Sequence, residues 1–248
     1  TRLGYDGFIE LQEAVQGELA DRLRPAAARI RDLPPGDVVA RALATSTAAV
    51  EDTLAGLDRA AFEDAVALLS DRARHVAVLA GDAGAGIAGH AGVELRMLRP
   101  DVEVVVGTPV AVGQSIARLG PGDIVLALDL RRYDRWLLEA VDHAVGEGVA
   151  LIALTDGPQS PLAWLSRSLL VIEGEGIGPF DNYVGALALL AALVAAVAEA
   201  LRDDATEDLD RVERAAERGR DLVQRILRFS GPEAVESAPL DPLPLLQE

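Results

Sequence analysis

The chain has 248 residues, 40 acids against 23 bases, and a formal charge of −17, and half of its residues are apolar. This is a globular composition, too aliphatic for a disordered chain and too acidic to wrap nucleic acid over its whole surface. There is no cysteine and every basic residue is arginine, which excludes disulfide scaffolds, thiolate metal sites, cysteine nucleophiles, Schiff-base lysines and P-loop lysines.

The first 30 or so residues read as helix, with Leu11, Val15, Leu19 and Leu23 recurring every four positions along one stripe. Before them, Leu3-Gly4-Tyr5-Asp6-Gly7-Phe8 is a tight corner of the kind that joins two short helices. Nothing in these residues has the charged-then-apolar pattern of a signal peptide. Leu33-Pro34-Pro35-Gly36-Asp37 breaks the helix and marks a boundary. Asp58 is placed to cap a helix whose core face is Phe62, Ala65, Val66 and Leu69. Five short apolar runs follow, at His75–Ala80, Val102–Val106, Asp123–Leu130, Val149–Leu154 and Ser168–Ile172, each bounded by Gly, Pro or Asp and separated by helical patterns. Thr108-Pro109 is a cap and first-turn pair. Runs that are apolar on both faces and alternate with helices predict a parallel sheet covered on both sides: an α/β fold, a three-layer α/β/α sandwich with five parallel strands. Two helices, Asn182–Leu201 and Asp208–Phe229, and a Pro-rich tail close the chain. The Ala- and Leu-rich run from Tyr183 to Leu201 nearly reaches the length of a membrane span, but acids follow it and no basic flank adjoins it. It is read as a buried or dimer-interface helix in a soluble, cytoplasmic protein without a membrane partner.

In an open parallel sheet, ligands bind beyond the carboxyl ends of the strands. After the first strand, Gly84 to Gly89 matches G-x-G-x-x-G, yet the first glycine comes some four residues after the strand ends at about Ala80. The second strand, moreover, ends in Val106-Gly107-Thr108, with no acid for a ribose, so a dinucleotide cofactor is disfavoured. A glycine-rich turn into a helix N-terminus still offers backbone N–H groups to an anion; the other reading is close helix–sheet packing. After the third strand, Asp129-Leu130-Arg131-Arg132-Tyr133-Asp134-Arg135-Trp136 gathers arginine forks, acids and aromatic faces. Such a segment can bind an acidic group, or it can be a solvated first helical turn with internal ion pairs. Of the three histidines, His75, His90 and His143, His90 lies just inside the helix after the first loop and reads as a surface residue, the other reading being one that faces a ligand. Asp82 and Asp156 read as ordinary loop acids. No spacing suggests a metal site or a nucleophile with its base, so no catalytic residue, metal or cofactor is assigned.

The order of helix, glycine loop and five strands resembles a sugar isomerase (SIS) domain, and the flanking pieces resemble the RpiR/MurR family of bacterial transcriptional regulators. Arg2-Leu3-Gly4-Tyr5-Asp6-Gly7-Phe8-Ile9-Glu10-Leu11 looks like the end of that family's recognition helix and the corner after it. Leu119-Gly120-Pro121-Gly122-Asp123 resembles its approach to the third strand, Ser160-Pro161-Leu162-Ala163 its turn after the fourth, and Gly178-Pro179-Phe180-Asp181-Asn182-Tyr183 its entry to the last large helix. The resemblance implies a homodimer that binds operator DNA through a helix-turn-helix, with Arg2 at the DNA, and a sugar phosphate or related acid through the SIS domain. It implies residues 1–33 as the remnant of the DNA-binding domain, 34–52 as linker, 53–230 as the effector-binding and dimerisation domain, and 231–248 as tail. Because the chain starts inside the recognition helix, by itself it is expected to bind an operator poorly.

The family's phosphate-binding serine in the first loop is replaced by Ala85, and its S-x-S-G-x-T loop by Asp129-Leu130-Arg131-Arg132-Tyr133-Asp134. An anion there would meet Asp129, unless Arg131 or Arg132 offsets it. The expected effector site is therefore Gly84, Ala85, Gly86, Asp129, Arg131, Arg132, Asp134 and Ser160. The arginines are expected to hold an acidic group, and Asp129 to accept from a hydroxyl or amine. The alternatives are a sugar-phosphate isomerase with His90 or Glu173 as base, and an SIS domain that binds nothing and only dimerises.

Overall fold

The computed structural model describes Gln12 and residues 24–131 and 133–229. Arg2, the corner at 3–8, the stripe from Leu11 to Leu23, Arg132 and the tail at 231–248 lie outside the described residues. The elements are α1 (Ala26–Arg31), α2 (Val38–Ala55), α3 (Arg59–Ser70), β1 (Val76–Ala80), α4 (Ala85–Leu98), β2 (Val102–Val104), α5 (Pro109–Ile116), β3 (Ile124–Leu128), α6 (Arg135–Gly146), β4 (Ala150–Thr155), α7 (Pro161–Leu165), β5 (Ser168–Val171), α8 (Val184–Ala200) and α9 (Arg202–Phe229).

The five strands form one parallel sheet in the order β2-β1-β3-β4-β5, as the alternating pattern predicts. Successive strand side chains point to opposite faces, and the core divides accordingly. Val76, Val78 and Ala80 of β1, with Ile124, Leu126 and Leu128 of β3, pack beneath α3, α4 and α8. Ala77 and Leu79, with Val125 and Ala127, pack against α5, α6 and α7. Every residue of β1 and β3 is buried, which is why these strands read as unbroken apolar runs.

Local chemistry sets the helix starts. Asp58 accepts from the Ala60 and Ala61 N–H groups, and Thr108 accepts from the Ala111 N–H ahead of Pro109. Gly122, with φ +100°, makes the left-handed turn into β3 that a side chain would strain. The buried Arg99 guanidinium donates to the backbone oxygens of Leu69 and Arg74, tying the end of α3 to the loop before β1. Its burial pushes its pKa down.

The 34–52 segment, expected as a linker, turns helical at Val38, capped by Asp37, and packs on α8. Gly185 permits this, because an added Cβ would lie 2.5 Å from Thr53 Oγ1 and 2.9 Å from the Ala49 carbonyl oxygen. The last helix starts at Arg202, not Asp208. Among the described residues, no single helix is long and apolar enough to cross a membrane; α8 buries Leu189, Leu190, Leu193 and Val197 in the core.

Candidate functional site at the carboxyl edge of the sheet

β1 and β3 are adjacent, so their carboxyl ends place two loops side by side. Gly81 leaves β1 with its N–H on the Leu128 carbonyl oxygen. An added Cβ at Gly81 would lie 2.5 Å from Asp129 Oδ1 and 2.7 Å from Asp134 Oδ2. Two carboxylates therefore converge over this glycine, and only the missing side chain gives them room.

Each carboxylate has a structural partner. Asp129 Oδ2 accepts from the Asp134 N–H at 2.7 Å, closing its own loop. Asp134 occupies the cap position of α6 but leaves the helix uncapped. Instead its Oδ2 accepts from the Asp82 N–H at 2.7 Å and bridges to the β1 loop. Asp129 is 6% exposed, and burial, helped by the charges of Asp134 and Asp156, pushes its carboxyl up to about 7 against the pull of the Asp134 and Leu130 N–H groups. Tyr133 donates to Asp156 Oδ1 at 2.7 Å, and burial followed by that hydrogen bond pushes its phenol up to about 12.

Next to the β1 loop lies a small cleft of about 70 Å³, lined by Ala80, Asp82, Ala85, Ala88, Val105 and Trp136 among others. Its wall is apolar with one aromatic face. With Asp82 in its lining, it offers an acceptor for a hydroxyl or amine donor beside an apolar ring face.

The expected site residues are only partly brought together. Asp129, Asp134 and Ala85 gather at this edge. Gly84 caps α4 without a side chain, pressed against Leu128 and Ala80, whereas Gly86 opens onto free space; close packing explains the first glycine and not the second. Arg131, expected to hold an acidic ligand group, is 8% exposed and turns away from the loop, with Nε donating to Asp181 Oδ1 at 2.7 Å, Nη1 to Glu175 Oε2 at 3.2 Å and Nη2 to the Gly174 carbonyl oxygen at 3.1 Å. Burial opposes its charge, but Asp181 and Glu175 outweigh that and move its pKa up. Each of its three nitrogens thus donates one hydrogen bond within the fold. Ser160, expected at the same site, is 1% exposed, and its hydroxyl accepts from Thr155 Oγ1 and from the Leu162 N–H as the cap of α7. Of the two suggested bases, exposed His90 sits 3.4 Å from Glu94 and Glu173 accepts from the Glu175 N–H; no hydrogen bond ties either to the carboxylates.

Sequence reasoning missed Asp181. It stands between Arg131 and Arg29 of α1, whose Nη2 lies 3.5 Å from Asp181 Oδ1. Among the described residues, the three Arg29 guanidinium nitrogens are buried without a hydrogen-bond partner. Polar contacts thus run from the β3 loop through Arg131 and Asp181 to α1. The only sequence signal was the position of Asp181 inside the Gly178–Tyr183 motif.

A family model for the SIS domain matches residues 69–196. The crystal structure of an RpiR transcription factor from Sphaerobacter thermophilus (sugar isomerase domain) is similar at 28% identity and a TM-score of 0.66, over 72% of this chain and 99% of that one. The Vibrio vulnificus NanR protein complexed with ManNAc-6P is similar at 19% identity and a TM-score of 0.64, over 86% and 76%. A phosphoheptose isomerase from Francisella tularensis is similar at 18% identity and a TM-score of 0.50, over 67% and 95%. No curated protein matches.

Proposed function

Because the chain belongs to the SIS domain family, we propose that it is the effector-sensing part of a DNA-binding transcriptional regulator of the RpiR/MurR kind, acting as a homodimer in the cytoplasm. Its DNA-reading head would include residues 1–33, with Arg2 at the operator. The observation that carries this reading is the run of contacts from the β3 loop through Arg131 and Asp181 to Arg29. A ligand that shifts Asp129 or Asp134 pulls on the loop that holds Arg131. The movement reaches α1, on the side of the chain that leads to the N-terminal segment. Such differential contact is what an allosteric sensor requires. The likeness to the RpiR sugar isomerase domain supports the regulator class.

The ligand we propose is a carbohydrate derivative, the class to which the ManNAc-6P of the Vibrio vulnificus NanR complex belongs. Its hydroxyl or amine groups meet Asp129 and Asp134, and its ring lies on Trp136. A phosphate on the β3 loop would face two carboxylates with Arg131 engaged elsewhere. The test is a thermal-shift panel of neutral sugars, amino sugars, sugar acids and sugar phosphates. At about 100 times its dissociation constant a ligand stabilises by about 2.7 kcal/mol. Stabilisation by neutral or amino sugars that is lost in Asp129→Asn/Asp134→Asn is expected. Stabilisation by sugar phosphates alone, unchanged in that variant, would refute the site.

One observation favours a second reading, a sugar-phosphate isomerase: a buried carboxyl titrating near neutrality is suited to general acid–base work. Turnover of a heptose phosphate or another sugar phosphate that disappears in Asp129→Asn would establish it in place of the sensor.

A further inference from the structure

α9 runs for 28 residues from Arg202 to Phe229, bent by 93° from α8. Its start packs on the body through Leu209, which joins the core beside α4 and α8. Beyond that, every residue from Glu213 to Arg225 is exposed, including Leu222 at 59% and Val223 at 56%. A helix in water draws most of its stability from packing an apolar face, and among the described residues nothing covers this one.

The sequence says what kind of cover fits. Leu209, Val212, Ala216, Gly219, Val223 and Ile226 alternate at spacings of three and four, the 3.5-residue period of a helix in prolonged contact with another helix. The charges are polarised along the same helix. Residues 202–210 hold five acids to one arginine, and residues 218–229 hold four arginines to one acid. Laid parallel, two copies would set acid against acid and arginine against arginine, a costly arrangement in a chain of charge −17. Laid antiparallel, each acidic start meets a basic end.

We propose that α9 is a self-association arm, pairing antiparallel with α9 of a second copy about a two-fold axis that passes between Ala216 and Gly219. In that register position 212 falls opposite position 223 of the second copy and position 216 opposite 219, and Glu213 falls beside position 220, an arginine. Glycine at the crossing lets the two backbones approach closely. The inference shares the homodimer with the proposed function and locates a contact of it on α9: a monomer would refute both, whereas a dimer that resists Arg220→Glu or fails to cross-link between 212 and 223 refutes only the pairing of α9.

The chain has no cysteine, so introduced thiols report pairing directly. Val212→Cys and Val223→Cys chains are each oxidised alone and also after mixing under reducing conditions. Neither alone should give a disulfide-linked dimer, whereas the mixture should give a heterodimer of twice 26.1 kDa. Sedimentation of the unmodified 248-residue chain should show a dimer. Arg220→Glu should weaken it at least tenfold, and Glu213→Arg added to Arg220→Glu should restore it. Efficient cross-linking of either variant with itself means parallel pairing and overturns the proposal. So does a dimer in which the mixture fails to cross-link, and so does a chain that sediments as a monomer.

Discussion

A carboxyl group that titrates near 7 changes how the whole chain responds to pH. Asp129 in the folded protein holds its proton well above the ordinary carboxylate range. Between about pH 4 and pH 7 the folded state therefore binds a proton that the unfolded state has lost. Stability contributed by this group is full below about pH 4, falls as pH rises, and is gone above about pH 7. Asp129→Asn removes the titration while keeping an oxygen for the Asp134 N–H. Urea denaturation should show the unmodified chain losing up to about 4 kcal/mol from this source between about pH 4 and pH 8, and the variant losing much less. An equal loss in both would place the raised carboxyl elsewhere. Arg131 yields a second expectation. Arg131→Met would leave Asp181, 8% exposed as a side chain, beside only the non-hydrogen-bonding Arg29, and should cost about 3–5 kcal/mol in the same assay. Arg29→Met removes no hydrogen bond and should cost far less.

At the scale of the element, α4 shows why glycines of one helix are not equivalent. An added Cβ at Gly92 would lie 2.4 Å from Val104 Cγ2, whereas one at Gly89 meets nothing within 4 Å. Gly92→Ala forces Val104 or α4 itself to shift and should destabilise by about 1–3 kcal/mol. Gly89→Ala should stabilise by about 0.5–1 kcal/mol through lower backbone entropy in the unfolded chain. Thermal unfolding of the two variants distinguishes them by sign. The G-x-G-x-x-G spacing includes Gly89 but not Gly92, so the tightest contact of an α4 glycine lies outside the motif. α2 makes a related point. Its Val38, Val39 and Leu43 are exposed and only Ala49 and Thr53 are buried, so the apolar periodicity that marks a packed helix is weak there.

Across the whole molecule, the net charge of −17 acts on every element at once. Self-repulsion of this size is screened once the Debye length shrinks to a few ångströms. Raising NaCl from about 50 mM to about 0.5 M should lift Tm by about 2–4 °C, the equivalent of roughly 1 kcal/mol for a chain of this length. A Tm that falls with salt would mean that ion pairs such as Arg131–Asp181 outweigh the repulsion.

The strands, their parallel class and several helix starts were legible in the residues for a local reason. A strand buried on both faces must be apolar at every position, and a cap needs only its own side chain and the next few N–H groups, as Asp58 and Thr108 show. The site was half legible. The composition of the 129–136 segment marked the place, because strand ends in such a sheet are where ligands meet protein. Where those side chains point was not written in any local pattern. Arg131 turns to Asp181, 50 residues away, and Asp134 turns to the Asp82 N–H, 52 residues away. The two carboxylates share the space over Gly81 only because β1 and β3 are neighbours in the sheet. Hydrophobic periodicity is a property of one segment, so the sequence by itself determined the architecture. The pairing of charges depends on which loops the folded sheet sets side by side, so tertiary structure alone decided what the site can hold.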